Sequence, residues 1–301
     1  SDVENVVDAA KAVAIPSDQE ILHVLPQTYT VDDQEGIRDP IGMSGVRLET
    51  SVHIVTGSVC AAQNIVKCIE RCDLHVGDIV LEQLASSCVL TDDEKDLGVC
   101  MIDIGGGTTD IALFANGAIQ HTGVIPIAGS QVTNDIAVAM RIPNRFAEQL
   151  KLLHASLLPL TEEESVAFDM GDGQTKMLSR NLLVDVVRAR YEELFGMVKS
   201  AIRRSGFESL VVSGIVLTGG ASKIEGAAAL AESIFQMPVR IGMPQRVKGV
   251  NEILSNPIFA TSVGLVLHAY YMQCRDDKES ALLRGARGVL QRMTKWFAHN
   301  F

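Results

Sequence analysis

Apolar residues recur along this chain at two spacings. Over Asp2–Val13, the residues Val3, Val6, Val7 and Ala10 fall on one helical face. Glu20–Val31 and Val46–Val55 read as strands; in the second, Val46, Leu48, Val52 and Ile54 alternate with Arg47, Glu49, Ser51 and His53. The Gly/Pro-punctuated stretch Gln34–Gly45 between them predicts a loop. His23 and His53 alternate with apolar neighbours, which places them on exposed strand faces. Ser58–Cys72 reads as a helix, Val76–Leu81 as a short strand and Leu84–Leu90 as the opening of another helix. Gly123–Met140 and Asn144–Ala155 predict a loop leading into two helices. Ser156–Met177 is polar and Gly-punctuated, so loops and short strands are expected, followed by a long helix over Leu178–Arg204. Ser213–Phe235 reads as strand, glycine turn and helix, Val239–Pro244 as a strand, and Asn256–Tyr271 as a helix. Strands and helices alternate, which predicts the α/β class.

The stretch from Val99 to Ile119, VCMIDIGGGTTDIALFANGAI, is the densest in chemistry. An apolar run ends at Asp103, a second begins after Asp110, and Ala115-Asn116-Gly117 supplies the next turn. The glycines therefore sit in a strand–turn–strand hairpin. A dinucleotide fingerprint or a Walker loop would instead feed a helix. Gly105, Gly106 and Gly107 let the backbone approach a ligand and point amides into one concavity. Thr108 and Thr109 add hydroxyl donors. Asp103 repels a phosphate unless a magnesium ion or its waters stand between them. Asp110 is expected to fix the turn by hydrogen bonding. A hairpin turn alone needs one or two special residues, not six. The second glycine turn, Gly219-Gly220, ends a strand before a helix, as nucleoside sites often do, with Ser222 and Lys223 beside it.

Composition narrows this reading. The chain has 301 residues, 47% of them hydrophobic, room for two domains or one large α/β unit. A net charge of -11 argues against a nucleic-acid-binding protein. Six cysteines form no Cys-x-x-Cys pair, and Cys68 and Cys72 share a helix face without a further ligand at metal spacing, which predicts reduced thiols and no metal site. No signal peptide or bilayer-spanning apolar run is evident. The last residues differ. Positions 284–301 carry Arg284, Arg287, Arg292 and Lys295 and no acid. On a helix from Gly288, the residues Val289, Leu290, Met293, Trp296 and Phe297 cluster toward one side, and Trp296 is the only tryptophan in the chain. This pattern predicts an interfacial membrane helix, with cations toward anionic lipid; a terminal helix docked on its own domain is the alternative.

Asp103-Ile-Gly-Gly-Gly-Thr-Thr-Asp110 resembles the second phosphate motif of the actin, sugar-kinase and heat-shock-chaperone superfamily, and GIVLTGGASKIEG resembles its adenosine motif. Glu82-Gln-Leu-Ala-Ser-Ser and ATSVGLVLHA resemble its two connecting helices. Glu148 and Lys151 match the acid–lysine pair that reaches the ribose and adenine side, with Gly129 near them. Together with DVENVVDAAKA and LHVLPQTYTVDDQEGIRDPIGMSGVRLE, these stretches make the chain similar to the FtsA family of actin-like cell-division proteins over essentially its whole length.

That resemblance implies a two-lobed actin-like ATPase core with a family-specific small subdomain. The small subdomain is placed at 1–56, in part, and the first lobe with its connecting helix at 57–92. The second lobe occupies 93–120 and 199–258, the upper subdomain 121–198, and the second connecting helix and start of a tether 259–285. The membrane helix is placed at 286–301. No second Asp-x-Gly hairpin precedes Gly57, so the resemblance implies an N-terminally truncated chain without the opposite phosphate hairpin. The implied cofactors are ATP and Mg2+. The implied partners are the C-terminal peptide of FtsZ, a membrane surface, further copies of the chain, and later division proteins through 1–56. The implied location is the cytoplasmic face of the inner membrane at the septum. Lys176, Arg180, Arg190 and Glu193 are the expected peptide contacts. Glu82 and Asp103 are expected to position a water, which supports slow hydrolysis at most. A pilus-assembly ATPase of the PilM type would not need the cationic tail. A sugar-kinase-type phosphotransferase would need an acceptor pocket that no motif identifies.

Overall fold

The computed structural model describes residues 2–169, 175–245, 247–249 and 251–274. Helix α1 (Asp2–Ala10) leads into β1 (Gln19–Val31), β2 (Gln34–Ile37) and β3 (Leu48–Ser58), an antiparallel sheet in the order β2-β1-β3. Part of the expected loop is thus a strand. The chain reverses at Asp32, which takes φ 54° and accepts the Val46 and Arg47 amides, each at 2.9 Å. That short turn leaves Gln34–Ile37 free to pair with β1. Val46, expected on the apolar face, precedes β3 and is fully exposed. The histidines are corrected too, because both are half-buried. His23 Nε2 accepts the Leu81 amide at 2.9 Å, and His53 Nε2 lies 3.0 Å from Thr122 Oγ1.

Helix α2 (Val59–Glu70) is capped by the Ser58 hydroxyl. Residues 76–81 form no strand. Their hydrogen bonds go to side chains instead: Asp78 accepts its neighbour Ile79 N at 2.8 Å and lies 3.0 Å from His268. Helix α3 (Glu82–Ser86) and a short 3-10 turn follow. Helix α4 (Asp92–Leu97) was not expected. Its signal is the reciprocal cap in which Thr91 and Glu94 satisfy each other's backbone amides at 3.2 and 2.8 Å.

The remaining elements are β4 (Val99–Ile104), β5 (Thr109–Ala115), β6 (Ala118–Ile125), α5 (Gly129–Met140), α6 (Asn144–His154), β7 (Ser165–Asp169), β8 (Thr175–Ser179), α7 (Arg180–Ser205), β9 (Ile215–Thr218), α8 (Ala227–Phe235), β10 (Val239–Ile241), α9 (Asn251–Leu254) and a helix α10 over residues 260–274. Five strands make the central sheet in the order β10-β9-β4-β5-β6. β10, β9 and β4 are parallel, whereas β4, β5 and β6 form an antiparallel meander. The β5–β6 turn uses Asn116 and Gly117 at φ 55° and 78°, as its sequence predicts.

β4 is buried at every position because both faces of the sheet are covered. Cys100, Ile102 and Ile104 meet the core under α5, α7 and α8; Val99 and Met101 meet a smaller core with Val89, Leu90 and Ala260. On that second face α10 crosses α3 at backbone distance. A Cβ on Gly264 would lie 1.9 Å from the Ala85 carbonyl oxygen. Gly264→Ala is therefore expected to destabilise the chain by about 3 kcal/mol, lowering the melting temperature by roughly 6–10 °C. An unchanged thermal melt would show that the two helices do not meet this closely.

Candidate functional site

Asp103, next to last in β4, is 4% exposed. Its carboxylate accepts the Ser86 hydroxyl of α3 at 2.5 Å and the Thr261 hydroxyl of α10 at 3.5 Å. Burial pushes the carboxyl above its ordinary value, against those two donors. Across the hairpin, Asp110 accepts Gln83 Nε2 at 2.8 Å and Thr108 Oγ1 at 3.2 Å. Asp110 is likewise raised, by burial first. Glu82, one residue before Gln83, is raised by burial and then by the charges of Asp110 and Asp103.

The glycine turn between these acids has an outward and an inward side. The Gly129 and Ser130 amides, at the start of α5, donate to the Gly105 and Gly106 carbonyls at 3.1 and 2.7 Å. The Gly106 and Gly107 amides find no acceptor among the described residues. Neither glycine has a positive φ, and a Cβ on either would stand in open space. Neither backbone strain nor packing asks for glycine there, and the open space leaves this backbone accessible. Gly219, in contrast, takes φ 84°, and its Cβ would lie 2.2 Å from Asp103 Oδ1.

The opposite wall is built by α5 and α6. Lys151 Nζ donates to Gly129 O at 2.9 Å, to Thr133 Oγ1 at 2.8 Å and to Glu148 Oε2 at 2.8 Å. Burial works against the Glu148 charge, but hydrogen bonds from Lys151 and Thr133 outweigh it and hold the carboxyl below its ordinary value. Between the walls lies a cleft of about 710 Å³. Of the expected cofactor residues it is lined by Gly105, Gly106, Gly129, Glu148, Lys151, Gly219, Gly220 and Lys223, together with Glu82 and Asp103.

Four expected residues stand back from the cleft lining. Gly107 and Thr108 belong to the turn itself. The Thr109 hydroxyl is fully buried and donates to Ile127 O at 2.7 Å. The Ser222 hydroxyl donates to Gly219 O at 2.7 Å, which fixes the second turn. Gln83, Ser86, Thr133 and Thr261 were not singled out as site residues. The signal available for Gln83, Ser86 and Thr261 is their place in the Glu82-Gln-Leu-Ala-Ser-Ser and ATSVGLVLHA stretches, which resemble the two connecting helices. No motif marks Tyr191, whose hydroxyl donates to Ala221 O at 2.7 Å and pins the second turn to α7.

The expected peptide contacts lie on β8 and α7, away from the cleft. Lys176 Nζ donates to Met140 O at 3.2 Å, and Arg180 pairs with Glu164. Arg190 is fully engaged, by Asp135 through Nε and Nη2 and by Glu193 through Nη1. Val289, Leu290, Arg292, Met293, Lys295, Trp296 and Phe297 lie outside the described residues.

The acids of the cleft make stability depend on pH in a stated direction. Glu82 has a raised folded value, so its ionisation costs stability as pH rises above the ordinary glutamate range. Without divalent ions, Glu82→Gln should melt like the wild type near pH 4.5 and about 1 °C higher near pH 7.5, a small gain because Glu82 is exposed and solvent screens its charge. A difference that does not grow with pH would remove the assigned electrostatic cause.

Known proteins agree with this architecture. The profile described as "Cell division protein FtsA" matches residues 100–264, and the one described as "SHS2 domain inserted in FTSA" matches residues 1–56. FtsA of Pseudomonas aeruginosa is 53% identical over all of this chain and 75% of its own length. FtsA of Escherichia coli K12 is 41% identical over 100% of this chain and 74% of its own. Among solved structures, MreB5 of Spiroplasma citri bound to ADP superposes with a TM-score of 0.60 at 19% identity, covering 73% of this chain and 68% of its own. The PilM–PilN type IV pilus biogenesis complex gives 0.63 at 17% identity, over 89% and 72%. At such identities the likeness is one of fold, and the fold is the actin-like one. The chain belongs to the FtsA family of cell division proteins.

Proposed function

We propose that this chain is the core of a nucleotide-responsive, polymerising adaptor that ties FtsZ filaments to the cytoplasmic face of the inner membrane at the division septum. The nucleotide part rests on one observation: two glycine turns and the Glu148–Lys151 pair converge on one cleft. The residues present fit Mg2+ and ATP. The free Gly106 and Gly107 amides suit the phosphates; the Thr108 hydroxyl, which donates to Asp110 at 3.2 Å, would join them by exchanging that acceptor for a phosphate oxygen. Glu148 and Lys151 suit the ribose side, with Gly129 behind them; Gly219, Gly220 and Lys223 suit the base. Thr109 and Ser222 act from behind, by shaping the two turns. Among the described residues no three His, Cys, Asp or Glu side chains are placed to hold a metal ion directly. Asp103 would therefore reach magnesium through water, and the ion would offset the repulsion between this acid and the phosphates. Glu82 faces the cleft with its carboxyl raised, a group suited to orienting a water, which supports slow hydrolysis at most.

The other parts have separate supports. A MamK double helical filament shares the fold with a TM-score of 0.53, which supports assembly into filaments. The cationic, aromatic pattern of residues 286–301 supports a peripheral membrane contact. The cations Lys176, Arg180 and Arg190 support an acidic peptide at β8 and α7, as in the tail of FtsZ. Residues 1–56 are the surface proposed for later division proteins. The likeness to PilM carries the fold alone and does not favour a pilus role.

Titration with a fluorescent ATP analogue in Mg2+ should saturate, and Lys151→Ala should weaken binding at least about 10-fold, the usual cost of losing a charged hydrogen bond. Equal affinity in both proteins would sink the assigned site. Anisotropy of a labelled FtsZ C-terminal peptide should also saturate, weakened about fivefold by Lys176→Glu. A folded chain that leaves the peptide free would refute the adaptor reading.

A further inference from the structure

Arg190 is the most tightly held cation on the proposed peptide face. Its Nε and Nη2 donate to the two carboxylate oxygens of Asp135 at 2.5 and 3.0 Å. Its Nη1 donates to Glu193 at 2.6 Å. The Asp135 pair is bidentate, the geometry in which a guanidinium grips a carboxylate most firmly. It is also three-quarters shielded from water, at 24% and 25% side-chain exposure. Glu193 is a neighbour one turn along α7, but Asp135 comes from a different helix, α5. In this arrangement the fork that would receive an acidic ligand is already filled by an acid of the chain itself.

The surroundings show what the fork would otherwise meet. Val138, one turn beyond Asp135 on α5, is 70% exposed, and Leu182, two turns before Arg190 on α7, is 43% exposed. Met177, on β8, is 64% exposed. Lys176 reaches the Met140 carbonyl at this end of α5, next to the exposed Arg141. Exposed apolar side chains thus occur on the same elements, α5, β8 and α7, and at the α5 end as Lys176, Arg141 and Arg190, which suits a peptide carrying both acidic and apolar residues. Each carboxylate of such a peptide competes with Asp135 for Arg190.

We propose that Asp135 is a built-in competitor: it holds Arg190 closed, and the fraction of molecules in which it releases the guanidinium sets the affinity of the α5–α7 face for an acidic peptide. This rests on the peptide reading given above and adds its regulation. A binding-competent state populated only in part lowers the apparent affinity by that fraction. Removing the competitor should recover the lost part. Asp135 also sits on the helix whose first amides bond the glycine turn, so the latch and the cleft share one rigid element.

The test is a double-mutant cycle read by anisotropy of the labelled FtsZ C-terminal peptide, with melting curves run beside it. Asp135→Asn is expected to bind about fivefold more tightly than the wild type, and Arg190→Gln more weakly. In the double variant the gain from Asp135→Asn should vanish, because nothing remains to be released. Asp135→Glu, which restores the acid, should bind as the wild type does. Should Asp135→Asn fail to fold, Asp135→Ser takes its place with the same expectation. Unchanged or weaker binding by a folded Asp135 variant overturns the proposal and leaves the pair a strut between helices. A gain that persists without Arg190 overturns it as well, since Asp135 would then act by general repulsion. Binding that the wild type shows and Asp135→Asn fails to improve tells against the latch alone. The absence of binding in every folded variant removes the peptide reading and the latch together.

Discussion

Asp103 is a carboxylate almost wholly removed from water at the end of a strand whose every residue is buried. Such a group persists only where donors reach it. Here the donors come from two helices that cross beside the strand, through Ser86 and Thr261. A third segment, the turn at Gly219, presses against the same carboxylate so closely that no side chain fits. One acid thus sets the spacing of α3, α10, β4 and the β9 turn. The small residues Ala85 and Gly264 let the helices approach near enough for the hydroxyls to reach it. The cleft is the volume left in front of this junction.

The far wall of the cleft depends on a different interaction. The carbonyls of the glycine turn are turned back toward α5 and accept its first amides, which leaves the turn's own amides pointing outward. A helix N-terminus and a hairpin thereby satisfy each other, and the hairpin keeps a free set of donors for an anion. Lys151 then ties α6 to the same point through the Gly129 carbonyl. α5 continues to Asp135, which joins it to α7. The proposed nucleotide and peptide faces stand at two ends of one helical scaffold.

Much of this was legible in the residues. The apolar run into Asp103, the triple glycine and the Asn-Gly turn predict the β4–β5–β6 meander, because a buried strand and a tight turn each restrict the residues that can form them. Gly219-Gly220 between a strand and a helix predicts the second turn for the same reason. Other elements escaped. Gln34–Ile37 has strand partners only because Asp32 folds the chain back onto β1, and nothing in Gln-Glu-Gly-Ile, with no alternation of apolar and polar residues, announces that pairing. Residues 76–81 have the apolar content of a strand but lie where side chains, not a strand edge, take up their hydrogen bonds. The two histidines were misplaced because alternation tells which residues share a face, not which face another segment covers.

The sequence by itself determined the local chemistry: where chain reversals need glycine, which strands are buried on both faces, and which helices carry an acid and a lysine one turn apart. It also determined the family, since its motifs fall in one order along the chain. Tertiary structure decided what those groups face. Thr109 and Ser222 carry hydroxyls that read as ligand donors, yet both are consumed by backbone carbonyls brought near by folding. Arg190 reads as a free cation, yet Asp135, 55 residues away in the chain, fills its fork. A hydrogen bond between distant residues leaves no periodic trace in the sequence. Its partner is chosen by how helices and strands pack, and packing is a property of the whole chain.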